Sequence, residues 1–307
     1  MRQRVLITHA IHPDALARLQ AEVDVKILAN ASPEGLLREI GTADGLLVRM
    51  PVTGDAIRAG HRLRVVARHG VGLDYIPVDV CTELGIPVVY TPDANTESVA
   101  EHVVGTMIAL AHHIVRADRA VRAGRWNDRD LIMGIDIRGR TIGIVGVGRI
   151  GTRVAQICRD GFGMRVLGYD YYLDDKAILE RGAEPRTLLS LLADSDFVTL
   201  HTPSTQQTRH LIDAAAIAGM KSSAWLINHA RGALVDTNAL TDAIKAGRLS
   251  GAAVDVLETE PPPPSLDFLQ LQDVIVTPHS AALTDEAMRR MGCDAAEDIL
   301  RVLRGLT

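Results

Sequence analysis

Thr141-Ile142-Gly143-Ile144-Val145, followed at once by Gly146-Val147-Gly148-Arg149-Ile150-Gly151, is the stretch that decides the fold of this 307-residue chain. A β-branched apolar run that ends on G-x-G-x-x-G and opens a helix is a strand, turn and helix built to hold a dinucleotide. Gly146 permits the tight turn, Gly148 lets backbone approach a pyrophosphate, and Gly151 lets helix and strand pack closely. The helix N-terminus then presents its free N–H groups to the phosphates. The next apolar run, Arg165-Val166-Leu167-Gly168-Tyr169, ends on Asp170. A carboxylate there accepts bonds from the adenosine ribose hydroxyls and repels a 2′-phosphate. Tyr171, Tyr172 and Leu173 supply no cation to receive such a phosphate, so the pattern predicts NAD over NADP.

Outward from this unit, short apolar runs alternate with helical patterns, which argues for parallel sheets covered by helices. Before it lie strands at Val5 to Thr8, Gly45 to Arg49, Val65 to Ala67 and Pro87 to Tyr90, with a helix over Pro13 to Glu22. After it come strands near 165–169, 196–200, 224–227, 252–256 and 274–277, enough with 141–147 for a complete six-stranded nucleotide sheet. Helical spacing over 98–122 predicts one long helix, and a last helix is expected over about 284–304, packed back on the N-terminal part. The nucleotide domain, 98–278, would then be an insertion in a substrate-binding domain made of 1–97 and 279–307. The active site is expected in the cleft between them. Pro261 to Pro264 reads as a stiff loop.

Composition narrows the partners. Lys plus Arg number 33 against 38 Asp plus Glu, a formal charge of −5, and the cations are scattered, which argues against nucleic acid. Apolar stretches such as Val103 to Ala111 are far shorter than the roughly 18–20 residues that cross a bilayer, and no leader is read at the N-terminus, so no membrane partner is expected. Cys81, Cys158 and Cys293 lie far apart. They suit neither a zinc site nor a disulfide framework and point to a reducing cytoplasm, with no metal.

Polar groups crowd the C-terminal ends of the second strand series: His201-Thr202-Pro203, Asn228 to Gly232, Asp255, Glu260 and His279. Such ends border the ligand crevice of an open α/β sheet. Reducing a 2-keto acid needs a cation for the carboxylate, a proton donor for the developing alkoxide, and a group that tunes the donor. Arg231 has the planar fork that grips a carboxylate, His279 titrates near neutral pH, and a carboxylate at Glu260 would favour the imidazolium. Taken singly, these three would read as a salt bridge, a structural histidine and a solvated loop acid. The other histidines need no chemical role: His112 and His113 point to different helix faces, and His9, His61 and His210 have no partner visible in sequence.

The chain resembles the D-isomer-specific 2-hydroxyacid dehydrogenases, in the branch of short phosphoglycerate and hydroxypyruvate dehydrogenases. The resemblance covers nearly all of the chain. It rests on Arg68 to Asp74 (RHGVGLD), Asn95 to His102 (NTESVAEH), Gly143 to Gly151, Leu200 to Pro203, Asn228 to Asp236 (NHARGALVD), Ala253 to Val256, Glu258 to Pro262 and Thr277 to Ala281. It implies an α/β chain of two Rossmann-like domains with doubly wound parallel sheets. It implies that Arg231 binds substrate and activates its carbonyl, that His279 is the acid/base and that Glu260 is its partner. The Val71-Gly72 loop would hold the substrate carboxylate through backbone N–H groups. Thr96, Arg149, Ile150, Asp170, Thr202, Ala230 and Asp255 would contact NAD, with Asp255 at the nicotinamide amide, and a homodimer built on the nucleotide domain is implied.

Two departures bear on substrate. Where the family often continues Asn-Ile-Asp, Asp74 leads here into Tyr75-Ile76-Pro77, which would set an aromatic ring at the mouth of the site. The loop Arg49-Met50-Pro51-Val52-Thr53 is short and lacks the polar and basic residues common in phosphoglycerate dehydrogenases, although Arg49 offers a second anion contact. The expectation is a small unphosphorylated acid such as hydroxypyruvate or glyoxylate. The alternatives are a 3-phosphoglycerate dehydrogenase without a regulatory domain and, from another class, an NAD-sensing binding protein or corepressor. A sensor has no need for Arg231, Glu260 and His279 together.

Overall fold

The computed structural model describes residues 2–306; Met1 and Thr307, the outermost residues of the expected first domain, lie outside the described residues. The chain forms two units, one made of residues 2–95 with 282–306 and the other of Thr96–Ala281. Each is an α/β body around its own parallel sheet.

The first unit holds β1 (Arg4–Ile7), β2 (Asp24–Ile27), β3 (Gly45–Val48), β4 (Val65–Arg68) and β5 (Val88–Val89), in the order β2-β1-β3-β4-β5. All pairs are parallel. The order runs outward in both directions from β1 and β3, so helices cover both faces. β3 is buried at every residue, as a central parallel strand must be. β2 was not anticipated: it is an exposed edge strand whose Asp24-Val25-Lys26-Ile27 has too little apolar content to announce itself. The last helix, Asp285–Leu303, is capped by Thr284 and lies on helix Pro13–Glu22. Ala295, Ile299 and Leu300 are buried there, and Arg18–Glu297 at 2.7 Å and Arg289–Asp14 at 2.6 Å flank the contact.

The second unit holds β6 (Thr141–Val145), β7 (Arg165–Tyr169), β8 (Glu184–Pro185), β9 (Phe197–Leu200), β10 (Trp225–Asn228), β11 (Gly251–Val254) and β12 (Val274–Val276). The order is β12-β11-β10-β9-β6-β7-β8, again parallel throughout. The six expected strands are present, and β8 adds a two-residue edge. The order reverses between β6 and β9, which makes the crest above β6 the switch point where an open α/β sheet binds ligands.

The long helix expected over 98–122 is two helices, Thr96–Ala111 and Ile114–Arg122, bent by 61°. His113 stops the first by adopting the left-handed conformation at φ 49. The carbonyl of Ala111, freed at that end, accepts the Ile135 N–H at 2.8 Å. The break is thus fixed by a partner far along the chain, and periodicity carries straight through it. Among the described residues, no single helix is long and apolar enough to cross a membrane; only this bent pair together has the length and composition.

Candidate active site

The glycine turn after β6 has the three spaces its sequence predicts. Gly146 sits at φ 93, and a Cβ there would lie 2.7 Å from the carbonyl carbon of His201 and the nitrogen of Thr202. A Cβ on Gly151 would lie 2.1 Å from the Gly146 oxygen. Gly148 is the opposite case, with nothing within 4 Å of its missing Cβ, and it caps helix Arg149–Gln156 without a side-chain bond. Its open face at the start of the helix that holds Arg149 and Ile150 suits a pyrophosphate. Asp170 is held ready by two backbone donors, Val147 N–H at 2.8 Å and Tyr172 N–H at 2.9 Å. At the start of helix Thr96–Ala111, the Thr96 hydroxyl is buried with no partner. An orphaned polar atom of this kind calls for a ligand group, so these residues fit a dinucleotide.

His279 and Glu260, the acid/base candidates, lie side by side. His279 follows β12, and its Nδ1 lies 2.7 Å from Glu260 Oε2. With Nδ1 donating to the carboxylate, Nε2 is the atom left to carry a transferable proton. Burial pushes the Glu260 carboxyl up, but the bond to His279 and the Leu257 N–H at 3.0 Å outweigh it, and the group ends below its ordinary value. His279 is in the left-handed region at φ 53. Such a conformation is uncommon for a residue with a Cβ and marks positions the surroundings over-determine. Its N–H donates to Asp255 O at 2.8 Å and Thr277 O at 3.0 Å.

Asp255, only 2 % exposed, holds the same turn from below. One oxygen accepts Thr277 Oγ1 at 2.5 Å and Ser280 N at 2.8 Å; the other accepts Ala281 N at 2.8 Å. Thr277 in turn meets His102 Nε2 at 3.2 Å, and the His102 ring contacts His229 edge-on at 4.9 Å. Both ring nitrogens of His229 are buried without a partner. Burial, then the nearby His102, brings His229 down to about 4 and keeps it neutral.

Arg231 ends the turn after β10. Asn228 braces it, its side chain donating to Arg231 O at 2.8 Å and accepting Ala230 N at 3.1 Å. Arg231 Nη1 donates to Ala230 O at 2.7 Å. Gly232 is required because a Cβ would lie 2.0 Å from the carbonyl carbon of Leu257. The Arg231 turn therefore abuts the loop that carries Glu260.

Within the first unit, Arg49 follows β3. Its N–H donates to Thr8 Oγ1 at 2.8 Å and its guanidinium donates to Ala10 O. Arg68 donates to Gly72 O at 2.9 Å and Val48 O at 3.0 Å, which fixes the Val71-Gly72 loop. The Tyr75 ring lies 4.3 Å beneath the Arg68 guanidinium as a cation–π partner. Burial, and then Arg49 and Arg68, bring His69 down to about 4.

Sequence reading missed His210, which does have a partner: its Nε2 lies 2.6 Å from Glu258 Oε1. It also missed the His102–Thr277–Asp255 chain. Both pairings span long stretches of sequence, and only the topology of the sheet brings their members together.

A glycine turn at the switch point and an acid after the neighbouring strand define a dinucleotide-binding α/β protein, and a histidine–carboxylate pair lies in the same unit. Residues 104–281 match the family described as D-isomer specific 2-hydroxyacid dehydrogenase, NAD binding domain. The chain belongs to that family. It is 42% identical over 305 residues to a D-3-phosphoglycerate dehydrogenase of Methanocaldococcus jannaschii, covering 98% of this chain and 58% of that protein. It is 37% identical over 313 residues to a glyoxylate reductase of Korarchaeum cryptofilum, covering 99% and 94%. Among solved structures, a Thermus thermophilus protein superposes with TM-score 0.91 at 34% identity, over 99% of this chain and 97% of that one. The chain thus spans somewhat over half the length of the phosphoglycerate dehydrogenase and nearly all of the glyoxylate reductase.

Proposed function

We propose that this protein moves a hydride between NAD(H) and a small D-2-hydroxy or 2-keto acid, with hydroxypyruvate and glyoxylate ahead of larger acids. The observation that carries the reading is the 2.7 Å His279–Glu260 pair on a left-handed backbone, in the unit that bears the glycine turn and Asp170. When bound, NAD supplies or takes up the hydride. Gly146, Gly148, Arg149, Ile150 and Gly151 would hold its pyrophosphate, Asp170 its ribose, and Thr96, Thr202, Ala230 and Asp255 its nicotinamide end. Arg231 grips the acid's carboxylate and polarises the adjacent carbonyl, a role suited to its bidentate fork. His279 Nε2 gives a proton to the carbonyl oxygen during reduction and takes it back during oxidation. Arg49 and the Val71-Gly72 N–H groups are the substrate contacts this reading assigns to residues 2–95 and 282–306, the substrate-binding domain; Thr96–Ala281 is the nucleotide domain.

Glu260 orients the acid/base: its carboxylate, held below its ordinary value, lies 2.7 Å from His279 Nδ1 and leaves Nε2 for the substrate. Glu260→Gln should lower kcat for reduction about tenfold or more, and an unchanged kcat removes Glu260 from the mechanism. NADH consumption with a panel of 2-keto acids tests the whole reading. Tight NADH binding with failure on every acid would sink it. The identity to a phosphoglycerate dehydrogenase supports a second reading, oxidation of a phosphorylated 2-hydroxy acid, so the panel includes one.

The same reading has a homodimer formed through the nucleotide unit. Its support is the band of exposed apolar side chains Ile114, Val121, Trp126, Leu131 and Met133 on the second helix and the segment after it. A cytoplasmic location is supported by three free thiols. Burial pushes Cys158 up to about 12, which leaves it inert.

A further inference from the structure

Glu260 is not the only acid of its loop with a histidine partner. Two residues earlier, Glu258 Oε1 meets His210 Nε2 at 2.6 Å, and His210, like His279, sits in the left-handed region, at φ 49. Glu258 Oε2 accepts the Thr237 N–H at 3.2 Å, at the start of helix Thr237–Lys245. Arg209 is a further charged group near the pair, 4.0 Å from the same Oε1. One carboxylate thereby fastens three segments: 209–212, 231–237 and 257–260.

The fastening continues through the backbone. His210 N donates to Ala233 O at 2.8 Å, Ile212 N to Leu234 O at 3.0 Å, and Asp236 N to Ile212 O at 3.1 Å. Gly232, next to Arg231, packs so closely on the Leu257-Glu258 peptide that no side chain fits between them. The Arg231 turn and the Glu260 loop thus share one contact, and the Glu258–His210 pair closes it. Both side chains of the pair are about two-thirds covered. Burial pushes the Glu258 carboxyl up, but His210 and Thr237 outweigh it and hold it below its ordinary value.

We propose that Glu258 and His210 are positioning residues that keep Arg231 and Glu260 in register, so that the carboxylate grip and the acid/base pair address one substrate. The proposal rests on the roles given to Arg231, Glu260 and His279 above. Because misplacement of catalytic groups by about 1 Å can cost roughly a hundredfold in rate, Glu258→Ala should lower kcat/KM for the preferred keto acid about ten- to hundredfold. The loss should appear both in KM, through Arg231, and in kcat, through Glu260. His210→Ala should do the same, and the double variant should be no worse than either single one.

Glu258→Gln keeps an acceptor for Thr237 N–H and a group that bonds the imidazole, and should recover activity to within about threefold of the parent. NADH affinity, read by fluorescence titration, should change less than about twofold in all variants, because the glycine turn is untouched. Amide hydrogen exchange gives a readout independent of turnover: 231–237 and 257–260 should exchange about tenfold faster in Glu258→Ala than in the parent or in Glu258→Gln. An active enzyme whose Ala variants keep kcat/KM overturns the proposal, and so does a Gln variant as impaired as the Ala variant. If the parent reduces no acid, the enzyme reading fails on its own account. The exchange arm then decides: faster exchange in Glu258→Ala upholds the fastening and unchanged exchange ends it.

Discussion

The two parallel sheets use one device at their first crossover and finish it differently. β1 leads into helix Pro13–Glu22, and β6 leads into helix Arg149–Gln156. In the first, His12 is the N-cap and its ring accepts the Asp14 N–H at 3.2 Å. In the second, the N-cap is Gly148, which has no side chain and makes no cap bond. A helix start always leaves orphan N–H groups; one unit meets one of them with its own side chain, and the other puts no side chain at the cap, which leaves room for an anion. Nucleotide binding is therefore not a property of the strand-turn-helix scaffold. It depends on what the cap position leaves undone.

Acid should divide the two units most strongly. Burial holds His201 at about 3 and His229 at about 4 in Thr96–Ala281, while His69 at about 4 is the counterpart in the other unit. These folded values lie below the ordinary 6.5, so the unfolded chain takes up protons first as pH falls. Their contribution is complete above about pH 6.5 and is lost progressively toward pH 4 and below. His9 in the other unit is lowered as well, so the difference rests on the deeper burial of His201 and His229, and Thr96–Ala281 should yield first. Both tryptophans, Trp126 and Trp225, lie in it, so their emission should change at a higher pH than the circular dichroism of the whole chain. Coincident transitions would contradict this.

Gly148→Asp turns the second crossover into a version of the first. Aspartate is a good N-cap, so stability should hold or rise by about a few tenths of a kcal/mol, read from the melting midpoint. The carboxylate would occupy the open face, and NADH affinity should fall about a hundredfold, on the scale of a charged hydrogen-bond cluster. Retained affinity would mean that the pyrophosphate sits elsewhere. Asp170→Ala should cost about tenfold in NADH affinity and narrow the gap to NADPH, both measurable by the same titration. The smallest effect is reserved for His12→Ala, which should cost about 1 kcal/mol of stability and leave NADH binding untouched.

Much of this was legible beforehand because it depends on local chemistry. The glycine turn, Asp170 and the strand series are written in short runs, and the His279–Glu260 pair spans one loop and one strand. Non-local partners were illegible. His113 ends a helix because Ala111 O has a partner at Ile135, and the apolar periodicity of 98–122 carries no trace of that. β2 was missed because an exposed edge strand needs few apolar residues. His210 looked solitary because Glu258 is 48 positions away in sequence. The sequence of Tyr75 said aromatic, and only the position of Arg68 says what the ring is for.

The left-handed backbone at His279 also filters inheritance. Only a few residue types tolerate φ 53 readily, chiefly glycine, asparagine, aspartate and histidine. A lineage that loses the imidazole but keeps the fold is thereby steered toward asparagine or glycine at this position and away from valine or isoleucine. Silent descendants of such a protein, still able to hold a dinucleotide through the turn after β6, would carry that signature where the imidazole once stood.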